Sequence, residues 1–179
     1  MLVFDVDGDG DNDIVTAIES HGYGIAWLEH VKEESGDISF KMHRFVNETP
    51  QQNRYGVKFS QPHAFDMADF NGDGLMDFVV GKRFWAHGSK GDPEPNAAAV
   101  TYWFELKRGV EGLPGGIDFV PHLIHDDSGV GTQVAAGDLN GDGMPDVISG
   151  NKKGTHIHLQ VRKKVDEKTW QAAQPRVLN

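Results

Sequence analysis

Short runs that alternate apolar and polar residues, rich in β-branched and aromatic side chains, recur along the chain between clusters of glycine and aspartate. Alternation with a period of two, together with this composition, suits half-buried strands better than helices. Two such runs, His63–Ala68 and Thr132–Gly137, lead into aspartate clusters. Apolar runs at Ile14–Ala17, Phe78–Gly81 and Val147–Gly150 follow the clusters. Third runs lie at Gly24–His30, Ala99–Leu106 and Thr155–Val161, and fourth runs at Ile38–Val46, Ile117–Ile124 and Thr169–Leu178. The order strand, acidic loop, strand, turn, strand, turn, strand occurs three times. It predicts an all-β chain of three four-stranded antiparallel blades of a β-propeller. Blade 1 covers about 1–50, blade 2 about 60–125 and blade 3 about 130–179. Propellers close with about four to eight blades. Three blades, the acidic loop of the first preceded only by Met1–Phe4, are therefore expected to be part of a larger ring, with further blades or self-association covering the open edges.

The aspartate clusters carry the candidate chemistry. They read Asp5-Val-Asp-Gly-Asp-Gly-Asp-Asn-Asp13, Asp69-Phe-Asn-Gly-Asp-Gly-Leu-Met-Asp77 and Asp138-Leu-Asn-Gly-Asp-Gly-Met-Pro-Asp146. The chain has a net charge of −10, with 27 acids against 17 bases, and these loops hold 11 of the acids and no base. The remainder is almost neutral, so the acidity is a property of three loops. Oxygen ligands at positions 1, 3 and 5 can converge on one ion if the backbone turns tightly, and the position-6 glycines Gly10, Gly74 and Gly143 permit that turn. An all-oxygen shell selects a hard cation, and flexible geometry favours Ca2+ over Mg2+. The expected side-chain ligands are Asp5, Asp7, Asp9 and Asp13 in the first loop, Asp69, Asn71, Asp73 and Asp77 in the second, and Asp138, Asn140, Asp142 and Asp146 in the third. Asp11, Leu75 and Met144 are expected to add backbone carbonyls, giving about three calcium ions in all. An EF-hand would need a glutamate at position 12, where this chain has Thr16, Val80 and Ser149 inside expected strands.

These loops, each followed by an apolar strand ending in a glycine or a small residue, resemble FG-GAP/VCBS-type repeats. Those repeats are the calcium-binding blades of integrin-α-like propellers and of many bacterial extracellular proteins. The resemblance spans essentially the whole chain and implies a ring of about seven blades, structural calcium, and an extracellular or cell-surface location. No signal peptide opens the chain, which is read as lost with the N-terminus of a longer protein.

Chain direction places the turns after each second strand, and the blade-to-blade connections, on the rim opposite the acidic loops. Candidate ligand-face residues there are His21, Arg54, His63, Arg83, Trp85, His87, Lys152 and Lys153, a set suited to an acidic glycan or another anion. The sequence holds no cysteine, which excludes disulfides and thiolate chemistry. It shows no nucleophile elbow, phosphate loop, zinc-binding helix or glycosidase carboxylate pair. The expected role is a calcium-bearing binding or adhesion module with a glycan or protein ligand, without nucleic-acid binding or membrane insertion. The alternative is part of a polysaccharide lyase or hydrolase whose active face lies opposite the calcium loops.

Overall fold

The computed structural model describes residues 1–178. Eleven strands form three antiparallel sheets. Blade 1 holds β1 (Leu2–Phe4), β2 (Asp13–Ala17), β3 (Ile25–Lys32) and β4 (Ile38–Val46), in that order across the sheet. Blade 2 repeats the arrangement with β5 (Pro62–Ala68), β6 (Asp77–Lys82), β7 (Thr101–Lys107) and β8 (Asp118–His125). Blade 3 has β9 (Val134–Gly137), β10 (Asp146–Asn151) and β11 (Gly154–His158). The first strands β1, β5 and β9 meet along the blade-to-blade contacts. The three blades form an unclosed propeller segment.

Burial explains why the strands differ in pattern. In the middle blade, β6 is buried along its whole length. Phe78 and Val80 face blade 1 in a cluster with Trp27, Ile25, Phe104 and Phe119, while Val79 faces blade 3 with Phe70, Val130 and Val147. Alternate side chains of a strand point to opposite faces, so a strand between two packed faces becomes a continuous apolar run. An aromatic group fills the blade 1–blade 2 contact: Phe78 stacks on Phe104 with centroids 5.0 Å apart, and Phe45 lies 4.4 Å from Phe119.

Thr169–Leu178 does not form the expected fourth strand of blade 3. Residues Glu167–Ala173 are a helix, α1, and the described residues beyond it belong to no strand. The reason is local. The Asp166 carboxylate accepts the Thr169 N–H at 2.7 Å as an N-cap, and the following residues include good helix formers, with Pro175 just past the end. The tail then reaches the connection between blades 1 and 2, where the Leu178 N–H donates to the Arg54 carbonyl at 2.8 Å. Blade 3 is thus a three-stranded sheet.

Neighbouring blades are joined through the acidic loops. Arg108, just after β7, donates from Nε to the Val6 carbonyl at 2.8 Å and from Nη2 to the Asp5 carbonyl at 2.7 Å. Arg162, after β11, reaches the Phe70 carbonyl of blade 2 at 3.3 Å, beside Gln160, whose side-chain amide donates to the same oxygen at 2.7 Å. Each guanidinium lies over the position-4 glycine of the loop it clasps, and a Cβ on Gly8 would sit 2.8 Å from Arg108 Nη1. Val6 and Phe70 at position 2 of these loops are 0% and 4% exposed, whereas Leu139 at the same position of loop three is 48% exposed and has no such clasp among the described residues. Hydrogen bonds from a charged donor contribute about 1.5–3 kcal/mol. Arg108→Ala is expected to cost about 2 kcal/mol on that scale, lowering the melting temperature by about 4–8 °C for a chain of this size. An unchanged melting curve would show that the clasp adds nothing to stability.

Candidate metal centres and the opposite rim

All three acidic loops join the first and second strands of their blades, so they share one end of the molecule. Each is a ladder of side-chain-to-backbone turns. The position-1 carboxylate accepts the position-4 N–H: Asp5 from Gly8 at 2.6 Å, Asp69 from Gly72 at 2.6 Å and Asp138 from Gly141 at 2.7 Å. In loops two and three the second oxygen of that carboxylate also accepts the N–H of Gly74 at 3.0 Å or Gly143 at 2.9 Å. Position 3 accepts the position-5 N–H, and position 5 accepts the position-7 N–H, in every loop. These bonds curl the backbone of each loop tightly, which is what Asp and Asn do readily in turns. Gly10, Gly74 and Gly143 sit at φ 96°, 89° and 80°.

The position-9 aspartates have a role that spacing alone does not reveal. Asp13, Asp77 and Asp146 are almost fully buried. One oxygen accepts the position-2 N–H of its own loop: Val6 at 3.0 Å, Phe70 at 3.0 Å and Leu139 at 3.1 Å. The other accepts an N–H from the third strand or just beyond it: His30 at 2.8 Å, Leu106 at 2.9 Å and Gln160 at 2.8 Å. Each aspartate therefore ties its loop to the third strand of its blade. A carboxylate oxygen has two lone pairs, so these bonds leave acceptor capacity on each oxygen.

Burial, backbone N–H groups and neighbouring charges perturb several of these carboxylates. Burial pushes Asp77 up to about 7, against the Leu106 and Phe70 N–H groups that pull it down, while the charges of Asp73 and Glu105 add to the rise. Asp7 is also raised by burial, opposed by the Asp9 N–H and reinforced by Asp13, Asp9 and Asp5. Asp138 is lowered, chiefly by the Gly143 N–H. Carboxylate oxygens of Asp5, Asp7 and Asp13 lie within 4.8 Å of one another. The donors are oxygens throughout, and they fit a hard divalent ion.

On the other rim the structure brings together five of the eight ligand-face candidates, His21, His63, Arg83, His87 and Trp85, and attaches two more. The His21 ring centroid is 4.5 Å from that of His87 and 5.6 Å from that of His63. Arg83 Nη1 donates to His63 Nε2 at 3.1 Å, and burial, with the nearby charges of Arg83 and His21, lowers the His63 pKa. Trp85 stacks on Phe84 and donates from Nε1 to Asn96 at 3.1 Å. Lys152 binds the Trp85 and Ala86 carbonyls, and Lys153 pairs with Asp127 at 2.5 Å while lying 4.5 Å from the Phe84 ring centroid. These lysines tie blade 3 to blade 2. Arg54 is directed elsewhere: its Nε donates to Asp118 at 3.0 Å, beside Tyr55, whose hydroxyl donates to the same oxygen at 2.8 Å. Sequence reasoning missed Asp92, which meets both His21 and His87; only its place in the long β6–β7 connection could have suggested it.

Two comparisons bear on the family. A family model described as FG-GAP-like repeat matches residues 5–80, and one described as FG-GAP repeat matches 130–157. No curated protein matches the chain. The two matched segments contain all three aspartate loops, with β9 and β10 inside the second; β1 lies just before the first segment and β6 runs two residues past its end. FG-GAP repeats suggest a propeller module of integrin-like type and are typical of extracellular proteins. Among the described residues no helix is long and apolar enough to cross a membrane. Motif, blade topology and both matches agree that the chain belongs to the FG-GAP repeat family.

Proposed function

We propose that the three aspartate loops bind calcium, and that the chain is a calcium-stabilised segment of an extracellular propeller whose opposite rim binds a glycan or protein ligand. The observation that carries this reading is the repetition of one scaffold. Three loops separated in sequence have the same ladder of N–H bonds and the same buried position-9 carboxylate, with oxygen donors at positions 1, 3 and 5. A solvated turn has no need of a buried aspartate, whose desolvation is costly unless a charge or several donors compensate it. Calcium would supply the missing positive charge. The rim reading is supported by aromatic, imidazole and guanidinium groups converging where the acidic loops are absent.

Isothermal titration of the chelator-treated chain with calcium is expected to show about three sites, in the ~10⁻⁴–10⁻³ M range of extracellular modules. Asp142→Asn, which keeps the acceptor toward the Met144 N–H, is expected to weaken one site and leave the other two. No heat at about 10 mM calcium, ten times the weak end of that range, would overturn the assignment.

One contact favours a second reading. An imidazole whose pKa is lowered, held 3.1 Å from an arginine, is a base beside a charge neutraliser, as a polysaccharide lyase requires. Incubation with acidic polysaccharides separates the two. Retention without turnover supports the binding module, and ultraviolet-absorbing unsaturated ends support the lyase.

A further inference from the structure

The connection between β6 and β7, residues 83–100, is where blade 2 departs most from its neighbours. Blade 1 makes the corresponding turn with residues 18–24 and blade 3 with 152–153. Connections longer than about 12–15 residues without regular structure are uncommon and usually functional. This one also lies outside both matched repeat segments. Its path doubles back tightly: a Cβ on Gly91 would strike the His87 Cβ at 2.4 Å.

The fold-back sets Asp92 beneath His87. The His87 N–H donates to Asp92 Oδ2 at 3.1 Å, and His87 Nδ1 lies 3.1 Å from Oδ1. From blade 1, His21 directs its own Nδ1 to the same Oδ1, at 3.4 Å. That nitrogen is shielded from solvent and has no hydrogen-bond partner. The Asp92 side chain is 5% exposed, so one buried carboxylate oxygen faces two imidazole nitrogens from different blades.

We propose that His21, His87 and Asp92 form a site for a borderline transition-metal ion such as Zn2+, joining blade 1 to blade 2 on the rim opposite the aspartate loops. The three donor atoms lie within 4.8 Å of one another. Tetrahedral zinc with bonds of about 2.0–2.1 Å places its ligand atoms about 3.3–3.4 Å apart. The two nitrogen–oxygen separations, 3.1 and 3.4 Å, match that edge. Hydrogen bonding alone satisfies His87 but leaves His21 Nδ1 unpartnered, whereas a metal ion employs all three groups. The backbone bond to Oδ2 holds the carboxylate in place beforehand, the kind of outer support that metal ligands commonly have. Two imidazoles and one carboxylate suit zinc, copper(II) or nickel, and not calcium, so this site and the aspartate loops discriminate by chemistry. The partly exposed faces of His21 and His87 leave an entry path and a fourth position for water or a donor atom of a bound partner.

The test is titration of ZnCl2 into the full chain held in about 10 mM calcium, which keeps the oxygen sites filled. Calorimetry is expected to give one equivalent per chain, and zinc is expected to raise the melting temperature. Outer-shell losses already cost about 10–100-fold in affinity, so His21→Ala and Asp92→Asn are each expected to cost about 100-fold or more. Asp92→Asn retains an acceptor for the His87 N–H, so its fold is preserved. His158→Ala serves as the control, because His125, His156 and His158 form a separate imidazole group on blades 2 and 3. Binding that survives both His21→Ala and Asp92→Asn, binding lost with His158→Ala, or no binding by the wild type would each overturn the proposal. Failure of the calcium reading leaves it standing, since its donors are different residues.

Discussion

Stripping divalent cations with a chelator is expected to lower the melting temperature by tens of degrees relative to calcium-saturated protein, and added calcium is expected to restore it. Mass action sets the scale. An ion that binds only the folded state at about 100 times its Kd stabilises it by about 2.7 kcal/mol per site. Extracellular calcium modules have Kd values of ~10⁻⁴–10⁻³ M, so about 10 mM calcium reaches that regime for the tighter sites. For a chain of this size each kcal/mol moves the midpoint by about 2–4 °C, giving about 5–10 °C per filled loop. The blades share cores across their faces and arginine clasps across their loops, so the increments combine in one transition. Three loops all filled at about 100 times their Kd then amount to about 15–30 °C. The folded chain without ions keeps carboxylates close together in the first loop, where oxygens of Asp5, Asp7 and Asp13 lie within 4.8 Å of one another. Superimposable melting curves in chelator and in calcium would remove the loops from the list of metal sites.

The blades were legible in the sequence because two signals coincide there. Apolar alternation marks strands, and the aspartate motif recurs at the same point in each unit, so register and topology follow from the repeat. Thr169–Leu178 was misread because a few alternating residues near a chain end look alike whether or not a neighbouring strand exists to pair with them. The Asp166 cap and the helix formers after it outweigh that weak pattern. The aspartate loops were legible as clusters of ligand types, but motif spacing does not record which oxygen faces a backbone N–H. Hence position 9 reads as one more ligand, although the fold also uses it to fasten a strand. Arg54 was grouped with the rim from its place in a connection, but the rim does not hold its side chain, which turns to Asp118. Asp92 lay beyond sequence reasoning because its meeting with His21 spans two blades and depends on how residues 83–100 fold back.

Asp77→Ala is expected to destabilise the chain by about 3 kcal/mol whether or not calcium is present, a loss that separates its clamp role from any ligand role. The Phe70 N–H donates to one of its oxygens and the Leu106 N–H to the other, both in a buried setting. Each buried donor left without an acceptor costs about 1–3 kcal/mol, so the pair would lose about 2–6 kcal/mol. Part of that is returned, because the substitution also removes a carboxylate whose pKa burial raises to about 7. A net loss of about 3 kcal/mol lowers the midpoint by about 6–12 °C. Asp73 provides the contrast. It is exposed, and Asp73→Asn keeps an acceptor for the Leu75 N–H while removing a charge next to Asp69 and Asp77. In chelator this variant is expected to match or exceed the wild type in stability; in calcium it is expected to fall below it. Thermal melts of both variants, each with and without calcium, give the comparison. If the Asp77→Ala deficit vanished in chelator as the Asp73→Asn deficit does, position 9 would be a ligand and nothing more. A deficit that persists assigns it to the backbone bonds between the loop and β7, which the blade needs before any ion arrives.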